Sequence, residues 1–290
     1  MIIDAHLHLW ETQSGMVNGK PVYSIGGGRS DFGGEIRQMM PPYLIDGKNT
    51  VELLIANMDY AGVSGCVVTQ EYIDGNQDEY LLTAKAKYPN RIKICSLYEE
   101  KDDFTIDGFD GLKICASRLT NQDLTVLYPV FKKVEKAGKF ISIDLADGAA
   151  QVGVMEELIG RCPDLRIAIG HFGMVTREGW KEQIKLAKHK NVFIESGGIT
   201  WLFNHEFYPY EAAIESILVA RDICGIEKLM WGSDYPRTMT AITYGMSLNF
   251  AQKSNKLTGQ EKELFLGGNA RKFYGFEEFE IPEKIKNMVE

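Results

Sequence analysis

Eight short apolar segments, rich in β-branched residues, alternate with helical patterns along most of this 290-residue chain. The first opens the chain and ends at His8, and the others cover residues 65–70, 91–97, 111–115, 139–145, 166–171, 192–196 and 229–234. Neighbouring parallel strands need long crossover connections, which helices usually supply, so the alternation predicts a parallel sheet. Eight such units predict an α/β fold, a closed (β/α)8 TIM barrel that occupies residues 1–290 as a single domain.

An open, doubly wound sheet is the competing architecture. It usually carries a phosphate-binding turn, G-x-G-x-x-G, directly after its first strand. Here Gly26-Gly27-Gly28 comes too late and lacks that spacing. Between the strands, Asn49 is the predicted N-cap of the first helix, and Thr258 with Glu261 forms a capping box for the last.

Composition and charge narrow the range of partners. With 32 basic and 40 acidic residues the formal net charge is −8, and no basic stretch stands out, which argues against nucleic acid. No apolar run has membrane-spanning length. Five cysteines without a C-x-x-C motif indicate reduced thiols and predict the cytoplasm. We expect a small-molecule substrate, and the sequence leaves a homo-oligomer open.

One connection is far longer than the usual two to six residues of a barrel loop. Residues 9–48 separate the first strand from its helix, and they are rich in glycine. In a barrel this connection lies on the catalytic face, which predicts a lid whose Arg29 or Arg37 meets an anionic substrate. An irregular flap with surface arginines is the alternative.

Two histidines close the first strand. Because side chains alternate along a strand, Asp4, His6 and His8 are predicted on one side, and Ile3, Ala5 and Leu7 on an apolar opposite side. Two neutral imidazoles at a strand end can chelate a divalent metal. Two histidines on a half-exposed strand, without a metal, are the alternative.

Other polar residues fall at or near the ends of the predicted strands. In a barrel these ends surround one mouth, and charged groups in apolar strands are costly unless they are paired or ligated. The set comprises Glu71, Lys113, Asp144, His171, Glu195 and Asp234. His205 follows the seventh strand and either reaches the mouth or is an ordinary loop histidine.

Four motifs together resemble a known family. The H-x-H of the first strand, GHFG at the sixth, WGSDYP at the eighth and the closing GNARKFYGF look like the amidohydrolase superfamily. More narrowly, they look like its amidohydrolase-related branch of lactonases, hydratases and ACMS-type decarboxylases. The resemblance spans residues 2 to about 276.

The resemblance implies an enzyme with one divalent metal, zinc being the expected ion. His6, His8, His171 and Asp234 match the family's metal ligands. Asp234 also matches the carboxylate that accepts a proton from the attacking water, and His171 the histidine that binds metal or polarises the substrate. A zinc-bound water and an adjacent carboxylate would suit that chemistry.

Two positions depart from relatives in the branch. Metal-dependent members usually place a histidine at the end of the fifth strand, where this chain has Asp144. Some lactonases of the branch are thought to use their histidines without a metal, so a metal-free mechanism stays open. Members that hydrolyse dicarboxylate pyrones have an arginine at the position of Met174, which argues against a dicarboxylate here.

The sequence therefore predicts a hydrolase of a small, sugar-lactone-like compound, with water attack assisted by Asp234. A zinc-dependent non-oxidative decarboxylase or hydratase of an unsaturated acid is the second reading, with Arg29 or Arg118 binding the carboxylate. A non-enzymatic binding protein is the third. The predicted substrate-binding residues are Arg29, Glu71, Lys113, Arg118, Asp144 and His205; for Lys113 a structural role is equally expected.

Overall fold

The structure, a computed structural model, describes residues 1–101 and 103–277 together with Pro282, Lys286 and Met288. The described strands are β1 (Ile3–Leu7), β2 (Ser14–Val17), β3 (Lys20–Gly26), β4 (Arg29–Phe32), β5 (Ile36–Gln38), β6 (Gly65–Val68), β7 (Ile92–Leu97), β8 (Gly111–Cys115), β9 (Phe140–Asp144), β10 (Arg166–Ile169), β11 (Val192–Glu195) and β12 (Leu229–Met230).

The described helices follow the barrel strands along the chain. They are α1 (Val51–Ala61), α2 (Asp78–Lys87), α3 (Tyr128–Lys136), α4 (Val152–Arg161), α5 (Trp180–Lys185), α6 (Ile199–Leu202), α7 (Glu211–Cys224), α8 (Tyr244–Gln252), α9 (Gly259–Glu263) and α10 (Asn269–Tyr274). Among the described residues no helix is both long and apolar enough to cross a membrane.

Eight strands form one parallel sheet in the order β1-β6-β7-β8-β9-β10-β11-β12. The first and last strands also meet, because the Ala5 amide donates to the Trp231 carbonyl at 2.9 Å and the Asp234 amide to the His6 carbonyl at 2.9 Å. The sheet therefore closes, and the predicted (β/α)8 barrel is confirmed. The end of the barrel nearer the amino termini of its strands, its lower end, is filled by apolar side chains. Phe273 and Tyr274 of α10 pack against this lower cluster.

The strict alternation predicted for β1 is wrong. The β1–β6 pairing shifts register between Asp4 and Leu7, so β1 has one extra residue there. Ile3 and Ala5 pack in the lower cluster, whereas Leu7 packs in the layer between barrel and helices. Such β-bulges re-aim side chains and are frequent beside active sites. Here the bulge separates Asp4 from His6.

The 9–48 connection is not an irregular loop. Strands β2 to β5 form a separate four-stranded antiparallel sheet, which we call the insert sheet. Its first two turns, Asn18-Gly19 and Gly27-Gly28, have positive φ at both central residues, as two-residue type I′ hairpins require. Asn-Gly is a strong hairpin signal, so the sequence carried evidence for the first hairpin that the loop prediction did not use.

The first helix also begins differently from the prediction. Thr50, not Asn49, is the N-cap of α1. The Asn49 side chain instead donates to the carbonyl of His8 at 2.7 Å, so it anchors the end of β1. The predicted capping box of Thr258 and Glu261 is present at α9.

Candidate active site

A cavity of about 410 Å³ opens at the carboxyl ends of the barrel strands. It is bounded by strand ends and the loops that follow them, and on one side by the insert sheet, which contributes Phe32 and, just beyond β5, Met39. Its ionisable lining residues are His8, Arg37, Glu71, Arg118, Asp144, Asp147, His171, Asp234 and Arg237. Most of the charged residues predicted at strand ends therefore share one chamber.

His6 is held from behind by Glu195 at the end of β11. Its Nδ1 lies 2.6 Å from Glu195 Oε1, and both side chains are fully buried. The other Glu195 oxygen accepts from the Gly197 amide at 2.6 Å. A Cβ at Gly197 would lie 2.7 Å from His6 Cγ, so glycine makes room for the ring. Glu195 thereby fixes the tautomer and leaves His6 Nε2 free to accept.

His8 and Asp234 face this free nitrogen. His8 Nε2 lies 3.2 Å from His6 Nε2 and 3.0 Å from Asp234 Oδ1. The second oxygen of Asp234 accepts from the indole N–H of Trp201 at 2.8 Å. Burial opposes ionisation of Asp234, but the hydrogen bond from His8 and the charges of Arg237 and His171 hold its pKa below the usual value. Burial and Arg237 lower the pKa of His8, which stays neutral.

His171 forms a second group with Asp144 and Lys113. Its Nδ1 lies 2.9 Å from the Gly197 carbonyl oxygen and must carry a proton there, while Nε2 lies 3.5 Å from Asp144 Oδ2. The other Asp144 oxygen pairs with the Lys113 ammonium at 2.7 Å. Burial disfavours the cation, yet Asp144 raises the pKa of His171 to about 10. His171 lines the cavity with Nδ1 held by a carbonyl and Nε2 facing Asp144, and this orientation favours the polarising role.

Donor atoms in this site suit a divalent metal. Among the residues that the structure describes, two groups have ligand atoms within 4.8 Å of one another, His6–His8–Asp234 and His6–Asp144–His171. Zinc bonds of about 2.0–2.2 Å in a tetrahedral site separate neighbouring ligand atoms by about 3.3 Å. The distances of 3.2 and 3.0 Å from His8 Nε2 to its two partners match that spacing, and the third distance, from His6 Nε2 to Asp234 Oδ1, is longer at 3.9 Å. The His6–His8–Asp234 group therefore fits a mononuclear site, with Glu195 as the outer carboxylate that orients His6.

Arginines on the cavity wall are already paired with acids. Arg237 Nη2 contacts both oxygens of buried Asp74, at 2.7 and 2.9 Å. Arg118 Nε lies 3.5 Å from Glu71 Oε1. Arg37, from β5, pairs at 2.7 Å with Glu35. Their positive charges are thus largely compensated before a substrate enters.

Three of the predicted substrate-binding residues do not line the cavity. Arg29 is exposed, and its Nε reaches only the Gly26 carbonyl at 3.5 Å, because the Gly27-Gly28 turn directs it along the outside of the insert sheet. His205 is exposed on the loop after α6. Lys113 is fully buried behind Asp144, where it contacts that carboxylate instead of a substrate. Glu71, Arg118 and Asp144 do line the cavity.

The sequence profile of the amidohydrolase family, described as "Amidohydrolase", matches residues 3–276, nearly the whole chain. The chain belongs to the amidohydrolase family. The predicted resemblance and the prediction of a hydrolase are thereby confirmed. No curated protein matches this amidohydrolase in sequence.

Solved structures share its fold at low sequence identity. A probable 2-pyrone-4,6-dicarboxylic acid hydrolase from Acinetobacter baumannii is 19% identical, with a TM-score of 0.71 over 94% of this chain and 99% of that one. An amidohydrolase from Burkholderia multivorans with bound zinc is 15% identical, with a TM-score of 0.68 over 95% and 99%. A 5-carboxyvanillate decarboxylase from Novosphingobium aromaticivorans, complexed with manganese, is 16% identical, with a TM-score of 0.56 over 77% and 79%.

Sequence reasoning missed part of this amidohydrolase's site. Asp74 and Arg237 were not identified, although Arg237 stands three residues after Asp234 and Asp74 shortly follows the second barrel strand. Glu195 was recognised as a strand-end charge without a role. Trp201 lies in an aromatic-rich stretch, residues 201–210, and the sequence does not indicate which of these rings faces the cavity. Only the fold shows which of these groups reach Asp234 and His6.

Proposed function

We propose that this amidohydrolase hydrolyses a small lactone, with Asp234 assisting attack by water. The observation that carries the proposal is that the Asp234 carboxylate and the His171 imidazole line the same cavity. Asp234 is positioned to accept a proton, and the His171 cation to stabilise negative charge on a carbonyl oxygen. Opposite charges held in a shared chamber suit the addition of water to an ester bond.

Several residues of the chain prepare this step. His6, His8 and Asp234 would hold the metal, which we expect to be one zinc ion per chain. When bound, zinc lowers the pKa of its water and polarises a carbonyl. Trp201 fixes one oxygen of Asp234, so the other faces the histidines. His171 is oriented from both ring nitrogens by the Gly197 carbonyl and Asp144.

The lining of the cavity supports a neutral, hydroxylated substrate such as a sugar lactone. Arg118 and Arg237 each face an acid, so little unbalanced positive charge remains for a dicarboxylate. Met174 lines the cavity where pyrone-dicarboxylate hydrolases of the branch have an arginine. Hydroxyl groups can both donate to the carboxylates and accept from the guanidinium groups.

A decarboxylase or hydratase of an unsaturated acid is the second candidate. It is favoured by Arg118, whose contact with Glu71 is long at 3.5 Å and which lies on the cavity wall. A substrate carboxylate could replace that contact with a shorter, charge-assisted pair.

The cytoplasmic location remains a prediction, and the oligomeric state stays open.

Metal content is the first test of this proposal. We expect about one zinc per chain in protein purified without chelator, lost in the His6→Ala/His8→Ala double variant, measured by elemental analysis. Turnover of sugar lactones by the wild type would support the lactonase. Activity only on unsaturated acids would replace it with the second candidate, and a metal-free protein that still opens lactones would exclude the zinc.

A further inference from the structure

Two candidate metal groups in this site share His6. One consists of His6, His8 and Asp234, and the other of His6, Asp144 and His171. Glu195 occupies Nδ1 of His6, so a single lone pair on Nε2 serves both groups. One nitrogen lone pair binds one ion, and the groups therefore compete for the same metal.

Lys113 makes the two groups unequal. Its side chain is fully buried, and its ammonium lies 2.7 Å from Asp144 Oδ1 and 3.5 Å from Ser142 Oγ. An ammonium has three donors and no lone pair, so it pairs with a carboxylate without acting as a ligand. The other Asp144 oxygen faces His171 Nε2. Both Asp144 oxygens thus face nitrogen atoms of other side chains, those of Lys113 and His171.

Asp234 is in a different environment. Its Oδ1 faces the Nε2 atoms of His8 and His6, at 3.0 and 3.9 Å, and its Oδ2 accepts from the neutral indole N–H of Trp201. Arg237 Nη1 approaches Oδ1 no closer than 3.9 Å. The nearest partners of Asp234 Oδ1 are thus the two histidines that would bind the ion with it, whereas both Asp144 oxygens face side chains outside that group.

We propose that Lys113 is a positioning residue that directs the metal to His6, His8 and Asp234 by keeping Asp144 out of the coordination shell. The inference rests on the metal binding within our proposed function. It explains why a cation is buried beside a cation-binding site: the ammonium neutralises the carboxylate that would otherwise compete. It also assigns Asp144 to the orientation of His171.

Three variants test this assignment through zinc binding, measured calorimetrically with Zn²⁺ against a competing chelator. Lys113→Gln/Asp144→Asn removes both charges of the pair and leaves the net charge unchanged. We expect its Zn²⁺ dissociation constant to stay within about threefold of wild type, because the double change removes no proposed ligand and no net charge. Asp234→Asn, the matched carboxylate-to-amide change, should weaken binding by at least about tenfold.

Lys113→Gln alone frees Asp144 while retaining a hydrogen-bond donor. We expect Zn²⁺ binding to tighten by at least about fivefold, because Asp144 would add a negatively charged ligand. Co²⁺ absorption should then show a higher coordination number. The double variant should lose both effects, because no carboxylate remains to bind. If Lys113→Gln fails to fold, the double variant and Asp234→Asn decide the question.

Other outcomes would overturn the assignment. A tenfold loss of affinity in the double variant would make Asp144 a ligand in the wild type. Equal tightening in the single and double variants would show that Lys113 affects the metal only through its own positive charge and not through Asp144. A wild type that binds no Zn²⁺ would remove the metal from the proposed function as well, whereas lactone turnover would still test the hydrolase itself.

Discussion

At the scale of single residues, the backbone is strained where the chemistry is expected. His171, Phe172, Met174 and Asp234 all have φ between 53° and 57°. This left-handed region is costly for non-glycine residues, and such conformations are kept where surrounding structure determines them. The Asp234 amide donates to the His6 carbonyl, which fixes the turn that presents its carboxylate. Strain at the sixth and eighth strand ends therefore aims the two groups that face the substrate.

Replacing Asp234 by asparagine tests its role as proton acceptor. Asparagine has the same shape and tolerates positive φ, so the fold should persist. It cannot accept the proton, and we expect kcat/KM for lactone hydrolysis to fall by about 10³-fold. Steady-state kinetics on a lactone would measure this loss. Asp222→Asn, on the exposed side of α7, is the control, and similar losses in both variants would contradict the assignment.

At the scale of elements, the insert sheet is attached to the barrel by backbone hydrogen bonds. The Met16 amide donates to the Tyr72 carbonyl at 2.8 Å, and the Ser14 amide to the Asp74 carbonyl at 3.1 Å. A polar series continues inside, where buried Ser30 donates to Gln13 and Gln13 to Asp74. The insert sheet is thus joined to the same acid that holds Arg237. Its structure is that of a fixed wall; movement as a lid remains a prediction.

Gly28 tests whether the insert sheet shapes the cavity. Its carbonyl accepts from the Met39 and Met40 amides, and an added Cβ would lie 2.4 Å from the Met40 carbonyl oxygen. We expect Gly28→Ala to displace this segment and raise KM severalfold, with a smaller change in kcat. Gly19→Ala is a matched control, because Gly19 has nearly the same φ, +72° against +71°, and nothing within 4 Å of the new Cβ.

Both alanines carry the left-handed strain of about 1–2 kcal/mol, measurable as a lower free energy of unfolding in urea. Only Gly28→Ala adds a steric clash near the cavity. Equal KM values in the two variants would show that the insert sheet does not bound the substrate site.

At the scale of the whole molecule, closure of the barrel depends on its last strand, which has only two residues. Asp4 strengthens the junction between the first and last strands of the barrel, which we call the seam. Its carboxylate is fully buried and accepts from the Ser233 amide at 2.8 Å, the Ser233 hydroxyl at 2.5 Å and the Tyr244 hydroxyl at 2.9 Å. One side chain of β1 therefore holds two parts of the chain together. They are Ser233, which directly precedes Asp234 in the segment after β12, and Tyr244 at the start of α8.

Removing the Asp4 carboxylate should weaken the whole fold. Asp4→Ala leaves several buried donors without acceptors, and we expect the free energy of unfolding to fall by about 3 kcal/mol or more. Tyr244→Phe removes a single hydrogen bond and should cost about 1 kcal/mol. Urea denaturation followed by circular dichroism would compare them, and equal losses would argue against Asp4 as the joint of the seam.

Metal binding should stabilise the folded molecule. An ion that binds the native state alone adds RT ln(1 + [L]/Kd), about 2.7 kcal/mol at a free concentration one hundred times Kd. We expect Zn²⁺ to raise Tm of the wild type, and chelator to reverse the shift. The His6→Ala/His8→Ala variant should show no shift in calorimetry; an undiminished shift there would place the ion elsewhere.

The sequence by itself determined the barrel and the four polar residues at its mouth, His6, His8, His171 and Asp234. Helical and strand periodicities are local, so they can be read along the chain, and polar groups ending apolar strands of a barrel must meet at one end. The same reasoning failed at β1, where a bulge altered the alternation, and at Arg29, whose direction depends on a hairpin turn.

Only the tertiary structure decided which groups pair within that mouth. His6 meets Glu195 across 189 positions, and His8 meets Asp234 across 226. Such contacts follow from closure of the sheet and from the paths of connecting loops, which no local period encodes. The same holds for the buried Lys113–Asp144 pair, for Arg237 on Asp74 and for the insert sheet on the barrel. The distances between these groups decide which of them can act as ligand, base or counter-ion, and packing sets those distances.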